Sequence, residues 1–302
     1  MLFLLKDHNS LFLLLLSFIE IWLKSGTPEH FYALDIGCND GSLSIQLLNH
    51  IQKELDAYIS TNKACKVSAV QCHMLGVDID SALINRAIAY VETGGCLLSD
   101  SSTCDFINFD IMSTYLKDST NGADAVLSSP IADYLDRQWR TNPSSSSRKG
   151  FHFISLFSVT MWLHLHHGDN GLCWLYSHVL SLLSLSPNDS TSLLSDVSNS
   201  NVGPNAFRGA ILIEPQPWKN YRTARRRCVR NDISPARVFP LYDSILIKDS
   251  SSHMMGFFHK YSAETASQVL HETQEITGGS DSDSTKTVVE IEACWGRKVH
   301  LF

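Results

Sequence analysis

Two apolar runs, each closing on glycine and acid residues, constrain the fold of this chain more than any other feature. One reads Ala33-Leu34-Asp35-Ile36-Gly37-Cys38-Asn39-Asp40-Gly41, and the other ends in Gly76-Val77-Asp78-Ile79-Asp80. A continuous apolar run stopped by glycine is the pattern of a parallel strand buried on both faces, with a turn that opens into a helix. An ordinary strand and turn would explain either run alone; the pair at this separation implies two successive βα units.

The same alternation continues along the chain. Strands are predicted at residues 31–36, 74–77, 106–109, 151–157 and 210–213, with a terminal hairpin pair at 288–292 and 299–302. Helices are predicted at 42–51, 81–91, 161–165 and near 172–183. Alternating βα units imply a mostly parallel sheet with helices on both faces. Serine-rich stretches at about 96–104, 141–149, 184–205 and 278–286 cannot supply a core and read as loop insertions. The expected organisation is therefore an apolar extension over 1–30 and a single domain over 31–302.

The acids at the strand tips suggest what such a sheet would hold. An acid ending the second strand, here Asp78, can accept hydrogen bonds from ribose hydroxyls. The first turn is Gly-x-x-x-Gly, not Gly-x-Gly-x-x-Gly, which argues against a dinucleotide and its pyrophosphate. A ribose-containing cofactor without phosphates, S-adenosylmethionine, fits better. Asp110, ending the third strand, could bond an adenine amine while Ile111 packs on the ring, or it could simply cap the next turn. Phe157, at the tip of the fourth strand, could close that pocket or be a plain core aromatic.

Composition limits the alternatives. With 44% hydrophobic and 18% charged residues the chain is of globular type, and its net charge of −7 gives no overall basic field. RNA contact would need a local patch. One exists: Lys219, Arg222, Arg225, Arg226, Arg227 and Arg230, interleaved with Trp218 and Tyr221, follow the stiff loop Glu214-Pro215-Gln216-Pro217. A solvated basic helix face is the alternative reading. The eight cysteines include no Cys-x-x-Cys pair, which speaks against a zinc cage and for reduced thiols. His164, His166 and His167 invite a metal hypothesis, but no acid or thiol stands at a partner spacing, and Asp169 follows a turn glycine expected to point it elsewhere. No metal is expected. The apolar run 11–23, interrupted by Glu20, is too short to span a bilayer and predicts a helix packed on the domain.

Taken in order, Leu34-Asp35-Ile36-Gly37-Cys38-Asn39, Asp78-Ile79-Asp80, Thr160-Met161-Trp162-Leu163-His164-Leu165, Gly168-Asp169 and Glu214-Pro215-Gln216-Pro217-Trp218 resemble the bicoid-interacting-protein-three family. Its members are S-adenosylmethionine-dependent methyltransferases acting on the 5′ phosphate of RNA. The resemblance covers residues 34–302 and implies a Rossmann-like class I methyltransferase with a mostly parallel seven-stranded sheet. His167, the run Trp218-Lys219-Asn220-Tyr221-Arg222 and the ending Cys294-Trp295-Gly296-Arg297-Lys298-Val299-His300-Leu301-Phe302 resemble the branch that methylates a 5′ monophosphate on precursor microRNA or histidine transfer RNA. The γ-phosphate capping branch is the alternative, as is a homologue weakened in catalysis that only binds RNA.

Carried over, the resemblance implies that Gly37, Cys38 and Asn39 line the methionine part of the cofactor, and that Asp78 takes the ribose. Asp110 with Ile111 would take the adenine, with Asp35, Ile79 and Phe157 completing the cofactor set. His164, His167 and Gln216 are expected to orient the phosphate. Glu214, Trp218, Lys219, Tyr221, Arg222, Arg225 and Arg226 are expected to meet the RNA. The family's tyrosine- and arginine-containing segment before the first strand has no counterpart in the leucine-rich residues 1–24, which suggests a truncated product or weakened activity. A monomer, cytoplasmic or nuclear, without a membrane span, completes the expectation.

Overall fold

The structure, a computed structural model, describes residues 19, 22–23, 29–62, 68–94, 98–113, 115, 129–141, 150–183, 209–258, 289–293 and 297–301. The serine-rich stretches at 184–205 and 278–286 lie outside the described residues, as does most of 141–149.

Five parallel strands form the body of the sheet: β1 (His30–Ile36), β2 (Gln71–Asp78), β3 (Ser102–Asn108), β4 (Phe153–Phe157) and β5 (Ala210–Glu214). Two further strands, β6 (Val289–Ala293) and β7 (Arg297–Leu301), pair antiparallel with each other, and β7 pairs antiparallel with β5. The order is β3-β2-β1-β4-β5-β7-β6. The chain therefore reverses its direction of travel across the sheet between β1 and β4, and in an open α/β sheet the crevice at such a reversal, beyond the carboxyl ends, is where ligands sit.

The helices are α1 (Ser42–Thr61), α2 (Ser81–Glu92), α3 (Pro130–Thr141), α4 (Thr160–Ser181), α5 (Trp218–Arg230), the short α6 (Pro235–Val238) and α7 (250–258). They cover both faces because β1 is buried on both. Phe31 and Ala33 enter one core with Leu48, Ile51 and Leu55 of α1. Tyr32, Leu34 and Ile36 enter the other with Leu172, Leu175 and Tyr176 of α4. Ile19, Trp22 and Leu23 of the apolar extension are helical and buried in the first of these cores, with the Trp22 ring edge-on to Phe31 at 5.0 Å. A third cluster joins Met161 and Leu165 of α4 to Tyr221, Ala224 and Cys228 of α5 and to Phe239, Tyr242 and Ile245. The spacing of Tyr221, Ala224 and Cys228 leaves only a narrow apolar stripe on α5, so its cations face outward.

Some elements differ from the sequence expectation. β3 begins at Ser102, inside a stretch read as a loop, because the Ser102 hydroxyl is buried and donates to Gln52 Oε1 at 3.1 Å. A polar residue satisfied in this way can enter a strand. The two helices expected at 161–165 and 172–183 form one element, α4, kinked at Gly168 (φ 66°, ψ −169°). Helix α3 had no expectation. Among the described residues no helix is long and apolar enough to cross a membrane.

Candidate active site

Register places the strand tips together. Asp35 pairs with Gly76 on one side and Ser155 on the other, and Phe157 pairs with Glu214, so Asp78, Gly37, Phe157 and Glu214 share one level at the carboxyl edge. Asp78 and Glu214 are separated by three strand spacings, about 14 Å at ~4.8 Å each. One cleft can serve both.

The turn after β1 is built on a packed ring. Phe106 of β3 fills the space beneath it: a side chain at Gly76 would meet that ring at 2.5 Å, and one at Gly41 (φ 74°) would overlap it. Gly41 is also the residue before α1, and its left-handed backbone suits glycine. With the turn so fixed, Asn39 (φ 56°) donates its N–H to Asp78 Oδ2 at 3.0 Å. The Asp80 N–H donates to Asp78 Oδ1 at 2.9 Å, and Asp80 itself caps α2 by accepting from Ala82 and Leu83. Backbone N–H groups on both oxygens hold the Asp78 carboxylate in one orientation. Next to it, Ile79 is 70% exposed, an apolar side chain left open at the tip of β2. Asn108 donates to the carbonyls of Asp78 and Ile79, which ties the tips of β2 and β3. Beyond β3, Asp110 accepts the Met112 N–H at 2.9 Å, while Ile111 is buried.

Asp35 plays a different part from the one expected. Its carboxylate is buried, accepting from Ser44 Oγ at 2.5 Å and Ser155 Oγ at 2.7 Å, and so braces β1 to α1 and β4. Burial raises its pKa above the usual carboxylate range, with the two hydroxyl donors partly offsetting this and Asp78 adding to it. It supports the cleft from beneath instead of lining it. Cys38 is likewise buried, and burial holds its thiol well above the ordinary value, followed by the influence of Asp35 and Asp78. Such burial disfavours a thiolate there. Phe157 is half-buried against the first core.

At the tips of β4 and β5 a hydrogen-bonded row replaces the isolated residues read from sequence. Ser158, with a left-handed φ of 58°, donates to Glu214 Oε2 at 2.6 Å. Gln216 Nε2 donates to Ser158 Oγ at 3.4 Å and Gln216 Oε1 accepts from Asn220 Nδ2 at 2.6 Å. Glu214 and Gln216 are both buried. A strained serine at this edge is the kind of conformation that functional sites retain, and the sequence reading missed it because nothing in the residue type signals a positive φ.

The histidines separate. His164 is fully buried, with Nδ1 3.0 Å from Tyr221 Oη and Nε2 2.8 Å from Asp169 Oδ1. Asp169, expected to point away, is returned to His164 by the kink at Gly168 and also accepts the Leu246 and Ile247 N–H groups. Burial lowers the His164 pKa against the pull of Asp169. Burial alone would raise Asp169, but the bonds from His164, Leu246 and Ile247 together hold its carboxyl below the usual range. The consistent arrangement is a neutral imidazole donating from Nε2 to a carboxylate and accepting from Tyr221 at Nδ1. Both ring nitrogens are committed, so His164 does not reach an incoming anion, and the buried Tyr221 does not face RNA. His167 lies on another side of α4, its ring edge-on to Tyr115 at 6.1 Å. Burial lowers its pKa, and the nearby Asp110 partly offsets that. No group of three or more His, Cys, Asp or Glu side chains among the described residues is placed to hold a metal ion.

The basic helix keeps its exposed cations. Lys219, Arg222, Arg226 and Arg230 face solvent, one above another at helical spacing. Arg225 instead pairs with Asp243 at 3.2 Å and lies 4.6 Å over the Tyr242 ring. Trp218 stacks on Tyr242 at 5.5 Å, with Lys248 Nζ 5.9 Å from its ring centre.

Comparison with known proteins adds the lineage. The chain is 32% identical over 194 residues to the RNA 5′-monophosphate methyltransferase of Rattus norvegicus, covering 64% of this chain and 49% of that protein. It is 32% identical over 210 residues to the pre-miRNA 5′-monophosphate methyltransferase of Danio rerio, covering 69% and 60% respectively. The chain is a homologue of the RNA 5′-monophosphate methyltransferases. It spans about half the length of the first of these relatives and 60% of the second. No family model matches. Among solved structures, the N-methyltransferase NodS of Bradyrhizobium japonicum (11% identity, TM-score 0.34, 97% of this chain and 95% of that one) and a bacterial Hen1 methyltransferase domain (11%, 0.34, 95% and 97%) are similar at low scores.

Proposed function

We propose that this chain binds S-adenosylmethionine at the tips of β1, β2 and β3 and transfers its methyl group to the 5′ monophosphate of a small RNA. The observation that carries the reading is the alignment of the braced Asp78 and the Ser158–Glu214–Gln216 row along one sheet edge. Homology to enzymes named for that reaction supports it.

The residues present fit the cofactor. The Asp78 carboxylate, oriented by two backbone donors, suits a ribose diol, and the uncovered Ile79 suits the face of an adenine. Bound there, the cofactor supplies an electrophilic methyl group on sulfonium. The chain supplies position. A phosphate oxygen is already anionic at neutral pH, so its methylation requires alignment more than a general base. That agrees with a site whose most enclosed histidine, His164, is occupied by structural bonds. The exposed Lys219, Arg222 and Arg226 are offered as the phosphate-binding cations, and Gln216 and Asn220 as neutral groups that fix the loop beneath them.

Titrating the cofactor against the wild-type chain and Asp78→Ala tests the assignment. The wild type is expected to bind and the variant to lose at least tenfold in affinity, in line with roughly 1.5–3 kcal/mol for hydrogen bonds to a charged group. Equal binding by both would remove Asp78 from the site.

A further inference from the structure

Trp162 is not explained by the site as described. It lies in the first turn of α4, two residues beyond Thr160, and is 44% exposed. Its ring rests against the buried Phe239 at 6.3 Å, inclined by 40°. One helical turn later, the exposed His166 sets its ring edge-on to the same Phe239 at 5.4 Å. Phe239 thus supports two aromatic side chains at i and i+4, which share one face of a helix and stand about 6 Å apart along its axis. Leu241, itself 40% exposed, packs against the kink at Gly168 nearby.

Both side chains rest against one buried ring, yet Trp162 leaves much of its surface to water. An open, ring-backed aromatic surface of this kind suits a flat ring. Its place in the fold says which. α4 starts directly after Ser158 at the carboxyl edge, so the aromatic pair stands beside the tips of β4 and β5. Charge complementarity supplies the rest. Arg237 is exposed two residues before Phe239, and α5, with Lys219, Arg222 and Arg226 outward, shares a core cluster with Met161, Leu165 and Phe239. Cations flanking an aromatic surface match a nucleic-acid strand better than an apolar partner.

We propose that Trp162 and His166, supported by Phe239, form a stacking platform for the first bases of the RNA whose 5′ phosphate enters the cleft. The inference rests on the RNA methyltransferase reading and adds to it the residues that hold the base.

The test measures binding of 5′-monophosphorylated oligoribonucleotides to the full chain, wild type, Trp162→Phe and Trp162→Ala, by fluorescence anisotropy. A second probe keeps the 5′ phosphate but is abasic at its first two nucleotides. The alanine variant is expected to bind the intact probe roughly five- to a hundredfold more weakly, the loss typical of one removed base stack, and the phenylalanine variant to stay close to wild type. On the abasic probe the wild type and alanine variant are expected to converge, a coupling that misfolding would not produce. Cofactor titration of the same samples reports folding independently. An alanine variant equal to wild type on the intact probe, or equally weakened on both probes, overturns the platform while leaving the methyltransferase reading intact. Failure of the wild type to bind either RNA while it binds cofactor, or capture of an apolar peptide in preference to RNA, overturns the platform together with the RNA assignment.

Discussion

Replacing His164 with alanine would remove the ring through which α4, α5 and the Leu246–Ile247 segment are joined. Two hydrogen bonds are lost, one to the Asp169 carboxylate at 2.8 Å and one to Tyr221 at 3.0 Å, together with the packing of a fully buried side chain. A bond to a charged group contributes roughly 1.5–3 kcal/mol and a neutral one about 1. The figure must be reduced because Asp169 is 21% exposed, keeps two backbone donors and can recover water. A net loss of about 3 kcal/mol is expected, which would lower the urea midpoint by roughly 1–2 M. Turnover per folded molecule should stay within a few-fold of wild type, because the ring never meets the substrate. Urea unfolding followed by fluorescence, with active-site titration of the folded fraction, measures both quantities. A variant as stable as wild type that has nonetheless lost turnover would refute the burial of His164 and return it to the reacting phosphate.

Other outcomes follow from the same geometry. Asp35→Asn should preserve cofactor affinity and leave stability at pH 8 unchanged or higher, since burial already disfavours the charged carboxyl; a folded-state pKa raised above the unfolded one costs stability as pH rises through it, and thermal melts with cofactor titration check both points. His73, lowered to about 4 by burial and by His30, and His164, also lowered by burial, remain neutral while the unfolded chain takes up protons below its ordinary value near 6.5. Stability is therefore expected to fall from about pH 6.5 towards 4, by roughly 3 kcal/mol from His73 alone at about 1.4 kcal/mol per pH unit, and denaturant titrations across that range would show it. Gly76→Ala, with its added methyl 2.5 Å from the Phe106 ring, should destabilise by about 1–3 kcal/mol in the same assay. Arg222→Glu with Arg226→Glu should weaken RNA binding and flatten its dependence on salt, as read from affinities across a salt series.

The frame of this site was legible because burial on both faces leaves a plain mark: apolar runs ending in Gly37 and in Asp78 read together as two successive βα units, and the register then brings their tips to one level. What escaped was decided by single backbone angles or by buried polar pairing. Gly168 reads in sequence as a turn glycine that sends Asp169 elsewhere; its φ of 66° instead turns Asp169 back onto His164, and residue type alone does not give the direction of such a turn. Tyr221 looked like part of a basic surface because five of its neighbours in sequence are cationic, yet its place in the stripe with Ala224 and Cys228 carries it inward. Ser102 sat in a serine-rich stretch and gave no strand signal, since its burial depends on Gln52 from a distant helix. The exposed Ile79 and Trp162, by contrast, were visible as residues but not as open surface until the fold showed what fails to cover them.

Methyl transfer from labelled S-adenosylmethionine to a matched set of short RNAs ending in a 5′ monophosphate, triphosphate or hydroxyl is the most direct test. Label on the monophosphate RNA alone, resistant to phosphatase and released with the 5′ nucleotide by nuclease, is the expected result. Label that is indifferent to the end group would contradict it.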